Sequence, residues 1–173
     1  YDKRQELIDI VIVGGGATGV ELAGSLIEMK NFILPKDYPE LDYKEMDVYL
    51  IQSSDQLLNG MCKESSEESE TYLKDMGVKV IKNTRVTAIK DGYVETNTGK
   101  KIPANKVIWA AGITCPVING INPETLGHCN RIKGDGLLRV QDMNNVFAIG
   151  DIAYMETEDY PRAHPQVAQV AIQ

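Results

Sequence analysis

The chain is short of most residues that mark cross-linking or specialised chemistry. Its 173 residues hold three cysteines, Cys62, Cys115 and Cys129. They are spaced neither as a C-x-x-C redox pair nor as paired zinc ligands, which excludes a disulfide framework and suits a reducing cytoplasm. Only His128 and His164 could add imidazole donors, so no metal site is expected and the thiols read as buried or merely tolerated. No Ser-His-Asp arrangement or carboxylate pair offers machinery for hydrolysis. Basic residues are also in deficit, with 18 Lys+Arg against 25 Asp+Glu and a formal net charge of −7. Nucleic-acid binding rests on Lys and Arg neutralising phosphates, so this balance argues against it, although a local basic pocket is compatible with it. No signal peptide is visible, and no apolar run approaches the roughly 18 residues that cross a bilayer. What remains is 43% hydrophobic and 25% charged, the composition of an ordinary globular protein of about one domain.

The order of elements reads as α/β. After Leu7 the run IDIVIV is strand-like, breaks at Gly14-Gly15-Gly16, and leads into a helix-forming stretch from Thr18 to about Ile33 that Pro35 and Pro39 should close. VYLIQ at 48–52 is a second strand, which makes a βαβ unit. A helix is expected from about Met61 to Met76, its acidic cluster a solvated face and Ser65 with Glu68 spaced as a capping box. Gly77 ends it, and VKVI at 78–81 supplies another parallel strand. Runs at 85–90, 93–96 and 100–102, separated by Asp91-Gly92 and Thr98-Gly99, predict an antiparallel meander. KVIWAAG at 106–112 returns to the parallel sheet. Composition shifts near residue 113, strand character resumes at 137–140 and 146–149, and 165–173 has the spacing of a helix.

The strongest motif is the segment GGGATGVELAG at 14–24, in which Gly14, Gly16 and Gly19 form G-x-G-x-x-G between a strand and a helix. In that place Gly14 permits the tight turn, Gly16 lets backbone approach a pyrophosphate, and Gly19 allows the helix to pack closely on the strand. The helix start, with Ala17 and Thr18, offers free N–H groups and the positive end of its dipole. Ala111 and Gly112, the small residues ending KVIWAAG, are further candidate contacts. Such units usually end their second strand on an acid that holds the adenosine ribose. Here that position is Gln52, which can hydrogen-bond a ribose but does not repel a 2′-phosphate. The expected coenzyme is NADH, discriminated from NADPH less strictly than an acid would impose.

The glycine loop, the meander-interrupted return through KVIWAAG and the later NNVFAIGD at 144–151 resemble the pyridine-nucleotide-dependent flavoprotein reductases. That resemblance implies a Rossmann-like NADH-binding domain over 1–112 and a partial FAD-binding domain over 113–173. It also carries Asp151 onto the ribityl chain of FAD, with Gly150 allowing close approach. Within that superfamily the chain is most similar to type II NADH:quinone oxidoreductases. GGGATGVELAG matches their NADH loop, in which the residue at Glu21 points to where nicotinamide meets flavin. AQVAIQ at 168–173 matches their A-Q-x-x-x-Q pattern, and implies that Gln169 and Gln173 line a quinone site. Four residues apart on a helix, both amides would share one face. Taken by spacing alone, they suit an ordinary exposed helix.

The start at Tyr1 and the stop at Gln173 suggest a piece of a longer enzyme, preceded by an FAD-binding βαβ unit and followed by an amphipathic membrane anchor. The parent would sit peripherally on the cytoplasmic side of the cell membrane, with homodimerisation left open. The piece itself is expected to be soluble, to bind NADH, to hold FAD weakly and to reduce little quinone alone. Disulfide and ferredoxin reductases are the alternative enzymes, and a non-catalytic NAD-sensing Rossmann module is the alternative without chemistry. The flavin motif at 146–151 counts against the sensor.

Overall fold

The computed structural model describes residues 8–40, 42–158, 161, 163, 164 and 166. The chain divides into two units, Tyr1–Gly112 and Ile113–Gln173.

In the first unit, β1 (Ile10–Val13), β2 (Val48–Ile51), β3 (Lys79–Ile81) and β7 (Lys106–Trp109) form one parallel sheet in the order β3-β2-β1-β7. Helices α1 (Ala17–Glu28) and α3 (Lys63–Met76) make the crossovers from β1 to β2 and from β2 to β3. The uninterrupted IVIV of β1 is a consequence of burial on both faces, since a parallel strand covered on both sides has no polar side to present. Ile10, Ile12, Val48 and Leu50 pack with Ala23 and Ile27 of α1 and Leu73 of α3. On the opposite face Val11, Val13 and Ile51 pack with Val94, Ile102 and Ala104 of the meander β4 (Val86–Lys90), β5 (Tyr93–Thr96) and β6 (Lys101–Pro103). Each fully buried aliphatic side chain contributes about 1.5–3 kcal/mol. Sequence alternation thus sets three layers, with helices on one face and an antiparallel ribbon on the other.

The polarity of the sheet also fixes where a ligand can sit. From β1 the chain winds outward through β2 and β3, and β7 then returns on the other side of β1. The strand order therefore reverses at β1, and its carboxyl end opens a crevice.

Two expectations for this unit need correction. Pro35 does not close the first helical run: after a π-helical turn at Met29–Ile33 a short helix α2 (Leu34–Asp37) begins, with Pro35 in its first turn. There the missing N–H is not needed. The capping box at Ser65 does not form either, because the N-cap of α3 falls three residues earlier, on Cys62, with no side-chain cap. Ser65 instead lies in the first turn, its hydroxyl 3.1 Å from Cys62 Sγ.

The second unit is irregular. Its apolar cluster holds Ile132, Val140, Ala148 and Ala153, and its one strand pair among the described residues is β8 (Ile132–Lys133) with β9 (Ala153–Tyr154). The strands expected at 137–140 and 146–149 are reduced to isolated bridges, Gly134 with Val140 and Arg139 with Phe147. Local turns take their backbone groups: Asp135 Oδ1 accepts the N–H of Leu137 and of Arg139, and Leu138 is left-handed at φ 63°. Of the helix expected over 165–173 only Gln166 is described, so Gln169 and Gln173 lie outside the described residues. No described helix is long and apolar enough to cross a membrane, and no described group of three or more His, Cys, Asp or Glu could hold a metal ion.

Candidate dinucleotide site

The glycine loop closes the crevice at the end of β1. Gly14 has φ +113°, and a Cβ built on it would lie 2.3 Å from the Ala110 carbonyl oxygen, so neither its conformation nor its neighbours admit a side chain. A Cβ on Gly19 would lie 1.8 Å from the Gly14 carbonyl oxygen. These two glycines hold the loop and α1 against the sheet. Gly16 differs, because a Cβ there would meet nothing within 4 Å. It is the exposed N-cap of α1, followed by exposed Ala17 and Thr18, and no side chain caps the helix. The first N–H groups of a helix have no intrahelical acceptor and sit at its positive end. An anion at Gly16 therefore meets donors and no Cβ.

The motif gives Gly15 no role, yet side chains rather than main chain crowd it. Its Cβ would lie 2.6 Å from Leu57 Cδ2 and 3.1 Å from Gln52 Cβ. Its N–H donates to Gln52 Oε1 at 3.0 Å, and its carbonyl accepts the Leu58 N–H at 2.8 Å. This contact redefines Gln52. The side chain is buried, and its Nε2 donates to Ser54 Oγ at 2.7 Å and to the Gln56 carbonyl at 3.3 Å. The amide expected to meet a ribose also braces the glycine loop against the segment after β2, while the side chain lines the cavity there. Replacing Gln52 with Leu keeps the volume and orphans the Gly15 N–H. Unfolding in urea should show a loss of about 1–3 kcal/mol.

A cavity of about 320 Å³ lies beside this loop, lined among others by Gly14, Gln52, Ser53, Arg85, Trp109 and Ala111. Ala111 thus adjoins the site, and Gly112 is exposed at the end of the same segment with nothing within 4 Å of a Cβ. Glu21 is exposed on the outer side of α1, one turn beyond the loop, its carbonyl accepting Ser25 Oγ at 3.0 Å. Ser53 and Arg85 belong to no motif, and Trp109 stands in KVIWAAG without a role of its own. The ladder that continues past β2 and β3 brings Ser53 and Arg85 to the loop, and the pairing of Val13 with Trp109 across β1 and β7 brings the indole.

In the second unit Gly150 opens a 3-10 turn, Gly150–Ile152, at φ +68° with no atom within 4 Å of a Cβ. The Asp151 side chain is exposed, while its carbonyl is held by Gln166 Nε2 at 2.9 Å and Cys115 Sγ at 3.7 Å. The turn is anchored through backbone and leaves a carboxylate free to accept hydroxyl groups. All three thiols are free.

Comparison with known proteins matches residues 2–173 to the family model described as pyridine nucleotide-disulphide oxidoreductase. The chain is 31% identical over 172 residues to a probable NADH dehydrogenase of Dictyostelium discoideum, covering 99% of this chain and 38% of that protein. It is 30% identical over 156 residues to the type II NADH:quinone oxidoreductase of Haemophilus influenzae, covering 87% of this chain and 35% of that protein. Among solved structures it is similar to NDH2 from Plasmodium falciparum in complex with NADH, with a TM-score of 0.77 at 22% identity over 89% of this chain and 33% of that one. The chain spans less than two fifths of the length of these relatives. Matched along nearly all of its length, the chain belongs to the pyridine nucleotide-disulphide oxidoreductase family.

Proposed function

We propose that this chain provides the NADH-binding domain and an adjoining flavin-contacting segment of a flavin-dependent NADH:quinone oxidoreductase. One observation carries the reading: Gly14 and Gly19 are locked against backbone, whereas Gly16 faces open space at an uncapped helix start. That is a cradle shaped for a pyrophosphate between a strand and a helix. The names of the relatives from Dictyostelium discoideum and Haemophilus influenzae support the same assignment.

In this reading Gly16, Ala17 and Thr18 hold the pyrophosphate through backbone N–H groups, and Gly14, Ala111 and Gly112 border the coenzyme. Glu21 projects toward the nicotinamide end. Asp151, with Gly150 beside it, accepts hydrogen bonds from the ribityl hydroxyls of FAD. When bound, FAD supplies the two-electron chemistry between NADH and a quinone. Gln169 and Gln173, one helical turn apart by spacing, contact the quinone. The enzyme works as a peripheral protein on the cytoplasmic side of its membrane, and a homodimer is compatible with this arrangement.

The test is a titration of the chain with NADH, read through Trp109, the one tryptophan of the sequence, which lines the cavity beside Gly14. Saturable quenching is expected. Gly16→Val should weaken binding by about tenfold or more, a loss of at least 1.4 kcal/mol, while the melting temperature falls only by what a poorer N-cap costs, about 1 kcal/mol, because a Cβ there meets no atom within 4 Å. No binding by the unsubstituted chain, or undiminished binding by the variant, would overturn the proposal.

A further inference from the structure

The segment after β3 runs alongside the end of β2. Thr84 N–H donates to the Gln52 carbonyl at 3.0 Å and Asn83 N–H to the Ser54 carbonyl at 2.9 Å, so residues 83 and 84 prolong the β2–β3 pairing past both strands. Arg85 follows directly and is pinned by Asn97. Its N–H donates to Asn97 Oδ1 at 2.9 Å, and its carbonyl accepts the Asn97 N–H at 2.8 Å. The backbone of Arg85 is therefore fixed, while its side chain is exposed and lines the cavity with Gln52 and Ser53. Among the described residues no carboxylate lies within ion-pairing distance of its guanidinium.

A dinucleotide seated on the glycine loop brings its adenosine ribose to the end of the adjoining strand, which is β2. An acid at that end holds the 2′-hydroxyl and repels a 2′-phosphate. Gln52 is neutral and repels no phosphate, and its amide is already tied to Gly15, Ser54 and Gln56. The exposed donors beside it that can meet a 2′-phosphate are the guanidinium of Arg85 and the hydroxyl of Ser53. A guanidinium offers a planar fork of donors that matches phosphate oxygens, and its charge gains most where no carboxylate competes.

We propose that Arg85 and Ser53 form a subsite for the 2′-phosphate of NADPH, so that this chain takes NADPH as well as NADH. The proposal rests on the reading of the glycine loop as a dinucleotide site. It locates phosphate recognition after the third strand of the sheet, beside Gln52.

The experiment titrates NADH, NADPH and adenosine 2′,5′-bisphosphate by calorimetry into the unsubstituted chain, Arg85→Gln and Ser53→Ala. NADPH should bind the unsubstituted chain within a few-fold of NADH. Arg85→Gln should weaken NADPH and the bisphosphate by about tenfold or more, as expected for losing a charge-assisted pair, and change NADH by less than about twofold. Ser53→Ala should move the same two ligands in the same direction by a smaller factor. Both side chains are exposed, and unchanged melting curves will establish that the variants fold. If NADH binds and NADPH does not, or if Arg85→Gln weakens NADH and NADPH equally, the subsite is overturned while the dinucleotide reading stands. If neither coenzyme binds, both fall together.

Discussion

Gly19→Ala is expected to unfold the first unit, although alanine is the better helix former and the substitution adds a single methyl group. In an open helix interior the exchange would stabilise by about 1 kcal/mol. Here the new Cβ would sit 1.8 Å from the Gly14 carbonyl oxygen, with Leu50 Cδ1 at 3.5 Å behind it. The clash is with main chain, so no rotamer change relieves it. Gly14 cannot retreat, because its N–H donates to the Ile51 carbonyl at 2.8 Å and its own α-carbon faces Ala110 and Ala111. Helix α1 would have to lift from the sheet, uncovering Ala23 and Ile27. The expected loss exceeds about 4 kcal/mol, which places it in the rare tail of single substitutions and close to the whole stability of a small domain. Gly24→Ala on the same helix is the control: its Cβ would meet only Leu73 Cδ2, at 4.0 Å, and it should raise the urea midpoint. A Gly19→Ala midpoint within experimental error of the unsubstituted chain would show that the loop yields, and with it the argument for a rigid cradle.

The three glycines of the motif differ in a way the motif alone does not reveal. Gly14, Gly16 and Gly19 are equivalent letters in G-x-G-x-x-G, yet two are required by the fold and one is open to a ligand. The βαβ spacing and the hairpin signals at Asp91-Gly92 and Thr98-Gly99 were legible because they are local. So was the continuous apolar β1, since its pattern follows from burial on both faces. What escaped depends on partners distant in sequence. The place of Gln52 at the end of β2 points to a ribose, but nothing local shows that Gly15, 37 residues away, donates to its Oε1. Arg85 carried no signal, because only the pairing of residues 83 and 84 with Gln52 and Ser54 brings it to the cavity. Pro35 misled because the π-helical turn before it resets the helical register. In the second unit the alternation at 137–140 and 146–149 is real, and Ala148 and Val140 are buried as it requires. The Asp135 carboxylate nevertheless diverts two N–H groups into a turn, a competition that strand propensity does not weigh.

Arg131→Met should selectively release the second unit. Arg131 is a buried guanidinium, 8% exposed, whose partners are carbonyls: Nε and Nη2 donate to Ala153 and Nη2 to His164 at 3.0 Å. Its face lies 5.5 Å from the centre of the Tyr154 ring, and a Cβ on Gly127 would lie 2.6 Å from that ring, so Tyr154 is held between the Gly127 backbone and Arg131. This one side chain ties β8, which it precedes, to β9 and to the segment at 163–164. Methionine fills much of the volume and removes the cost of burying a charge, which offsets part of the loss. It satisfies neither carbonyl, and each orphaned acceptor costs about 1–3 kcal/mol, which leaves a net destabilisation of roughly 2–4 kcal/mol. Lysine should not rescue it, because a single ammonium on a flexible stem cannot span both carbonyls as the fork does. Hydrogen exchange separates this from a general loss of stability: amides at 131–134 and 153–155 should exchange faster, while β1 and β2 keep their protection. Equal acceleration in both units would mean that they unfold as one body, and unchanged exchange would mean that the apolar cluster of Ile132, Val140, Ala148 and Ala153 holds the pairing without the clamp.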